Sequence, residues 1–167
     1  MPRVITGGKI VEDGWVQLAD DAPLPADGDV IVSLKRWLVE RETLGARRGG
    51  VGVRLTGGDA LDAIVPDLPQ LPVIALEFPN FKDGRSFSFA RLLRERHGYE
   101  GQLRAVGDVL RDQIFYMRRC GIDTLELRAD RSAEDALAAF QELSVSYQAA
   151  VDDKQPLFRR VHRAGRN

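Results

Sequence analysis

Cysteine and histidine are nearly missing: Cys120 is the only thiol in 167 residues, and His97 and His162 are the only imidazoles. One thiol excludes an internal disulfide, a C-x-x-C redox pair and an iron–sulfur cluster held within one chain by four thiolates. A reducing, cytoplasmic setting is the expectation. The two histidines stand far apart with no carboxylate at ligand spacing, so no metal site is predicted. An excess of either charge is also missing, since 24 basic and 25 acidic residues leave a formal charge of −1. No global field draws the protein to nucleic acid or to an acidic membrane. The N-terminus MPRVITGGKIVEDGW lacks the apolar stretch of a signal peptide, and no later run approaches the roughly 18 apolar residues of a membrane span. G-x-G-x-x-G, G-x-x-x-x-G-K-[ST], H-E-x-x-H and a nucleophile elbow are all absent; Gly49, Gly50 and Gly52 precede a strand instead of following one, the wrong context for phosphate binding. No cofactor is predicted from any motif. Redox chemistry would need a flavin or nicotinamide held by an unfamiliar pattern, or a partner that carries the cofactor.

What is present is a repeat of apolar runs. Arg3–Thr6 and Lys9–Val11 flank Gly7-Gly8, the signal of a small β-ribbon, and Asp13-Gly14 punctuates the exit to Trp15. A loop with Pro23, Pro25, Asp27 and Gly28 leads to the strand Val30–Val32. Ser33 then caps a helix whose stripe is Leu34, Trp37, Leu38 and Arg41, ended by Gly45. Val51, Val53 and Leu55 make a strand, and Asp59 caps a short helix through Leu61, Ile64 and Val65, stopped before Pro66. Pro72–Phe78 is a near-continuous apolar run, hence a buried strand, followed by a helix that ends at Gly98. Leu103–Val106 is a strand, and Asp108 before an apolar helix with Leu110, Ile114 and Met117 reads as an N-cap. Thr124–Arg128 is a strand, and Ser132 with Asp135 opens a last helix through Leu137 and Leu143.

Strand alternating with helix five times predicts an α/β fold of repeated βα units around a mainly parallel sheet. Five units are too few for a closed eight-stranded barrel, which leaves an open doubly wound sheet or a half-barrel-like one. The expected organisation is one α/β domain over residues 1–150, with ribbon and loop in 1–28 and βα repeats in 29–150. Residues 151–167 form a polar tail carrying Arg159, Arg160, Arg163 and Arg166, expected to be an arm.

In parallel sheets ligands bind beyond the carboxyl ends of the strands. That edge collects Glu77, Asp83, Arg85, Ser86, Asp108 and Arg111. The helix after Phe78 opens on Arg85, Ser86 and Ser88, where acid would ordinarily answer the unpaired N–H groups. Two readings compete there: an oxyanion held by Arg85, Ser86 and Arg111, or a helix start merely capped by Asp83 or Ser86 with Arg85 paired to Asp83. Asp83, Asp108 and Glu77 are the candidate acid–base groups. Glu77, Arg104 and Glu126 are charges in strands whose burial requires cross-strand pairing, structural or substrate-orienting. Cys120 at a helix end reads as a buried packing residue.

The segments F-P-x-F-x-D-G-R-x-x-S-x-A-R-L-L-R-E-R and L-R-A-V-G-D-V-L-R-D-Q-x-F-x-M-x-R-C-G stand as Phe78–Arg96 and Leu103–Gly121, with Tyr147-Gln148 further on. From Leu76 to Arg128 the chain resembles a bacterial family of uncharacterised proteins whose members are often labelled oxidoreductases involved in sulfite reduction. The resemblance brings no assigned catalytic residues. Assimilatory sulfite reduction uses an iron–sulfur cluster coupled to a haem-like ring, and one cysteine cannot hold that cluster. What the resemblance implies is therefore an accessory role, docking on sulfite reductase or another sulfur-assimilation enzyme, assisting electron delivery, or handling a small oxyanion. A small oxyanion-binding enzyme and a structural interaction module are the alternatives.

Overall fold

The computed structural model describes residues 3–80, 82–128, 130–141 and 150–154. Strands β1 (Arg3–Thr6) and β2 (Lys9–Glu12) pair antiparallel around Gly7 and Gly8, whose φ values of 56° and 71° are the positive pair that a two-residue hairpin turn requires. After the two-residue strand β3 (Val16–Gln17), absent from the sequence reading, come β4 (Val30–Ser33), helix α1 (Leu34–Ala46) and β5 (Val51–Leu55). Two 3₁₀ segments, Leu61–Ala63 and Val65–Gln70, lead to β6 (Val73–Phe78). Helix α2 (Arg85–Arg91) runs on into a π-type turn (Leu92–Arg96), and β7 (Gln102–Gly107), α3 (Arg111–Arg119), β8 (Thr124–Glu126) and α4 (Ala133–Gln141) complete the order.

The eight strands form one sheet in the order β2-β1-β8-β7-β6-β5-β4-β3, parallel from β3 to β8, with β1 antiparallel to β8. Sequential parallel strands that always step in the same direction through right-handed crossovers place every helix on one face. A doubly wound sheet needs a reversal of order that is not here, so the half-barrel-like alternative describes the molecule. The side chains agree. Val30, Val32, Val53, Leu55, Ile74, Leu76, Leu103 and Leu125 share one core with the helical Trp37, Leu93, Ile114 and Met117.

Chain length shows how strongly the sheet curls. Strands β2 and β3 occupy its two edges, and only residues 13–15 join them. Laid flat, the seven gaps would separate the edges by roughly 34 Å at about 4.8 Å each. Four Cα steps from Glu12 to Val16 reach at most about 14 Å. The sheet is therefore rolled until its edges lie within reach of one short strap, which crosses the concave side. There Trp15 packs on a second, smaller apolar group, Ile31, Val73, Ala75 and Val106.

Several local readings hold. Ser33 Oγ accepts from Arg36 N at 3.1 Å, and Ser132 Oγ from Asp135 N at 3.1 Å, as helix caps do. Others need correction. Helix α1 passes through Gly45 and breaks helical geometry at Glu40, which rephases its stripe so that Leu44 is buried and Leu38 exposed. Asp59 caps no helix, because its carboxylate accepts instead from Thr56 N and Thr56 Oγ1 at 2.6 and 3.0 Å. Pro66 sits in the first turn of the second 3₁₀ segment, where its missing N–H costs nothing, and so does not stop it. Asp108 is no cap either, since α3 begins three residues later behind Leu110, which makes no side-chain capping bond. Of the polar tail, Val151 N donates to the Arg119 carbonyl at 3.2 Å and Asp152 pairs with Arg119 at 3.1 Å. Leu143, Tyr147, Gln148 and the tail arginines lie outside the described residues.

Candidate functional site at the carboxyl ends of the strands

The turn after β6 answers why α2 opens on arginine. Asp83 accepts from Arg85 N at 3.2 Å, Arg85 Nε at 3.0 Å and Arg85 Nη2 at 2.7 Å. The missing first-turn acid is thus supplied two residues earlier, and the guanidinium is bound by the same carboxylate. Those hydrogen bonds hold the Asp83 carboxyl down at about 2. Arg85 also lies over the loop after β5, where an added Cβ on Gly57 would come within 2.6 Å of its Nε. Ser86 is buried, and its hydroxyl donates to the Glu77 carbonyl oxygen at 2.6 Å, fastening the helix to the end of β6.

The turn after β7 rests on Gly107, whose φ is 91° and where a Cβ would stand 2.6 Å from the Phe78 carbonyl oxygen. This close approach lets Asp108 N donate to that oxygen at 2.7 Å. The Asp108 carboxylate then faces Arg128 Nη1 at 3.5 Å and Arg131 Nη2 at 3.7 Å, both from the segment after β8. These contacts are ionic, as Asp108 Oδ1 is buried without a hydrogen bond. Arg128 is also held by Asp130, at 3.0 and 2.9 Å, and Arg111 Nε pairs with Asp135 at 3.2 Å.

The rim therefore joins Asp108 to Arg128 and Arg131, and closes Asp83 on Arg85. It does not gather Arg85, Ser86 and Arg111 on one bound pair of partners: each is engaged by a different group. In the pairs made by Asp83 and Asp108 the more buried member is the acid, at 13% and 24% exposure against 63% for Arg85 and 54% for Arg128, whereas Asp130 and Asp135 are more exposed than the arginines they meet.

Glu77 belongs to a different set, inside the curl. Its carboxylate lies 3.4 Å from Arg54 Nε. Arg54 Nη1 donates to Gln17 Oε1 at 3.1 Å, Gln17 Nε2 donates to Glu126 Oε1 at 2.7 Å, and Glu126 Oε2 accepts from Arg104 Nη1 at 3.0 Å. Arg104 is fully buried and gripped from the strap by both oxygens of Asp13, with Gln102 Oε1 a further acceptor at 3.1 Å. The expected Glu–Arg cross-strand pairing is thus present as Arg104–Glu126 and Arg54–Glu77. Register explains the room for it: Arg54 and Arg104 lie in one row on either side of Ala75, whose methyl leaves space for two guanidinium stems.

Asp13 and Gln17 escaped sequence reasoning. Asp13 stands before a glycine and looks like any turn residue; only the strap brings it to Arg104, 91 residues away. Cys120 is buried, and burial pushes its thiol up, away from nucleophilic use. At the opposite, amino end of the strands a cleft of about 750 Å³ is lined by Trp37, Leu44, Leu68, Leu71 and Tyr99 among others. Among the described residues, no three His, Cys, Asp or Glu side chains are grouped to hold a metal ion, and no helix is long and apolar enough to cross a membrane.

Comparison with curated proteins returned no match. The model of one family, described as bacterial protein of unknown function (DUF934), covers residues 52–158, from β5 across the whole rim of aspartate–arginine pairs. With most of its length and every element of that rim inside the match, the chain belongs to the DUF934 family of bacterial proteins.

Proposed function

We propose that the protein is a non-catalytic accessory of assimilatory sulfite reduction, docking through its arginine-bearing rim on a sulfite reductase or another sulfur-assimilation enzyme. The observation that carries this reading is the arrangement of the rim pairs. Arg85, Arg111, Arg128 and Arg131 are 43–63% exposed, and two of the aspartates they meet, Asp83 under Arg85 and Asp108 under Arg128 and Arg131, are much less exposed than they are. Such a surface steers and orients an acidic partner while its own charges stay compensated in the free protein. The sulfite connection itself comes from the family resemblance, and the single cysteine assigns the cluster chemistry to the partner.

A small oxyanion enzyme built on Arg85 and Ser86 has less support. The Ser86 hydroxyl proton and the Arg85 fork are both spent on protein acceptors, and a carboxyl near 2 is a weak base at neutral pH.

The test is affinity purification of the tagged protein from its native host grown on sulfate, with the visible spectrum of the eluate recorded. Co-purification of a sulfite reductase with its cofactor absorbance, lost in the Arg128→Glu/Arg131→Glu variant, is the expected result. A colourless protein without a sulfur-assimilation enzyme, or a complex indifferent to the charge reversal, overturns the proposal.

A further inference from the structure

The strap and the arginine beneath it form a second candidate site, independent of the rim. We propose that the concave side of the sheet is an oxyanion site in which Asp13 of the strap occupies the place of a ligand, and that a small carboxylate or sulfate-like anion displaces it from Arg104.

Three observations lead there. First, Asp13 meets both terminal nitrogens of Arg104 in the fork geometry by which a guanidinium recognises a carboxylate or a tetrahedral oxyanion. Second, the arginine is not fully satisfied: Arg104 has no exposure, yet its Nε–H finds no acceptor among the described residues. Most buried donors are hydrogen-bonded; Arg47 Nε also lacks a partner, but on the concave side Arg104 Nε and Arg54 Nε lie in one row, two guanidinium donors open to a further acceptor. Third, the strap is held lightly. It is three residues long, β3 beyond it has two, and Trp15, only part-buried, touches the small group Ile31, Val73, Ala75 and Val106 instead of the main core. Lifting the strap breaks the Asp13 and Gln17 contacts but leaves the helix-covered core intact. It uncovers Arg104 beside Arg54, with Ala75 between them.

With a monocarboxylate such as formate the exchange is balanced in charge, one carboxylate leaving the guanidinium and another taking its place; sulfate brings one further negative charge. The strap acts as an internal competitor, so the anion binds more weakly than to an open site and shifts the strap towards the released state.

The experiment compares the thermal midpoint of the full chain in sodium sulfate and sodium formate against sodium chloride at matched ionic strength. In Asp13→Ala, where the competitor is gone, sulfate or formate is expected to raise the midpoint by several degrees more than in wild type, and Asp13→Ala/Arg104→Met loses the gain. Equal shifts in wild type and Asp13→Ala overturn the proposal and leave a static ion pair. If Asp13→Ala does not fold, hydrogen exchange of the wild type decides: amides of residues 13–17 exchange faster than those of β6, and faster in sulfate than in chloride. Exchange at 13–17 that ignores the anion refutes displacement.

Discussion

The two faces of the sheet are built on opposite principles. On the convex face alternate strand residues are aliphatic, and four helices bury them in one continuous core whose stability is a matter of area and packing. The concave face carries two arginines, three acids and two glutamines, linked by hydrogen bonds from Arg54 to Asp13 and by an ion pair from Arg54 to Glu77, with a small apolar group under Trp15. The lesson is that one strand can serve both. In β6 and β7 the convex residues are interchangeable hydrophobes of suitable volume, whereas the concave Glu77, Gln102 and Arg104 are matched to named partners beside the apolar Val73, Ala75 and Val106.

The comparison breaks most visibly at Arg104. Arg104→Ala leaves Asp13 and Glu126 without their cation and is expected to cost about 3–5 kcal/mol, while Asp13→Ala in an Arg104→Met background costs far less than in wild type. Urea titration of the four proteins reads the coupling, and additive losses would mean the network is not a unit. Leu76→Ala, one residue from Glu77 but on the convex face, is expected to cost about 2–5 kcal/mol through its cavity. Combined with Asp13→Ala it should add without coupling.

Smaller effects separate true caps from apparent ones. Ser132→Ala is expected to cost about 1 kcal/mol as a cap. Asp108→Ala, with partners at 3.5 and 3.7 Å and no capping bond, should stay below that, near the value of exposed ion pairs. The reverse order in thermal midpoints would restore Asp108 as a cap.

The smallest effects lie at the extremes of pH. Burial raises the Tyr99 phenol, whose hydroxyl donates to the Leu71 carbonyl oxygen at 2.8 Å. The folded protein holds this proton more tightly than the unfolded chain, so stability is full below the ordinary value of 10.0 and falls as pH rises beyond it. Tyr99→Phe should flatten that alkaline loss. Asp83 works in the other sense: lowered from 3.8 to about 2, it contributes above the first value and ceases to contribute as pH falls through the second. Because the pair is exposed, Asp83→Asn should change the acid titration only slightly, and a large change would show that the rim carries stability.

Much of the convex face was legible in the sequence because its signals are local. PVIALEF announces a buried strand, Gly7-Gly8 a hairpin and S-x-x-D a helix start, and each stands where its period places it. The choice between doubly wound and half-barrel sheets was not legible, since both have the same linear alternation and differ only in strand order. Asp59 and Asp108 misled because aspartate before an apolar stretch serves a turn or an ion pair as readily as a cap. At the candidate site, the Asp83–Arg85 pairing was legible as one of two readings from its spacing. The Asp13–Arg104 grip was hidden, for its partners are distant in sequence and only one of them interrupts a strand pattern.

The short strap also sets an order of events as the chain is made. Residues 3–17 leave the ribosome before the rest of the sheet, yet β1 pairs with β8 and Asp13 with an arginine 91 residues later, so the ribbon has no place to dock until almost the whole sheet has been synthesised. During that interval its hairpin waits with both edges unpaired. Lys9 and Glu12 at the two ends of β2 put charge on the edge that stays exposed even after docking, a natural guard against another nascent chain adding itself there.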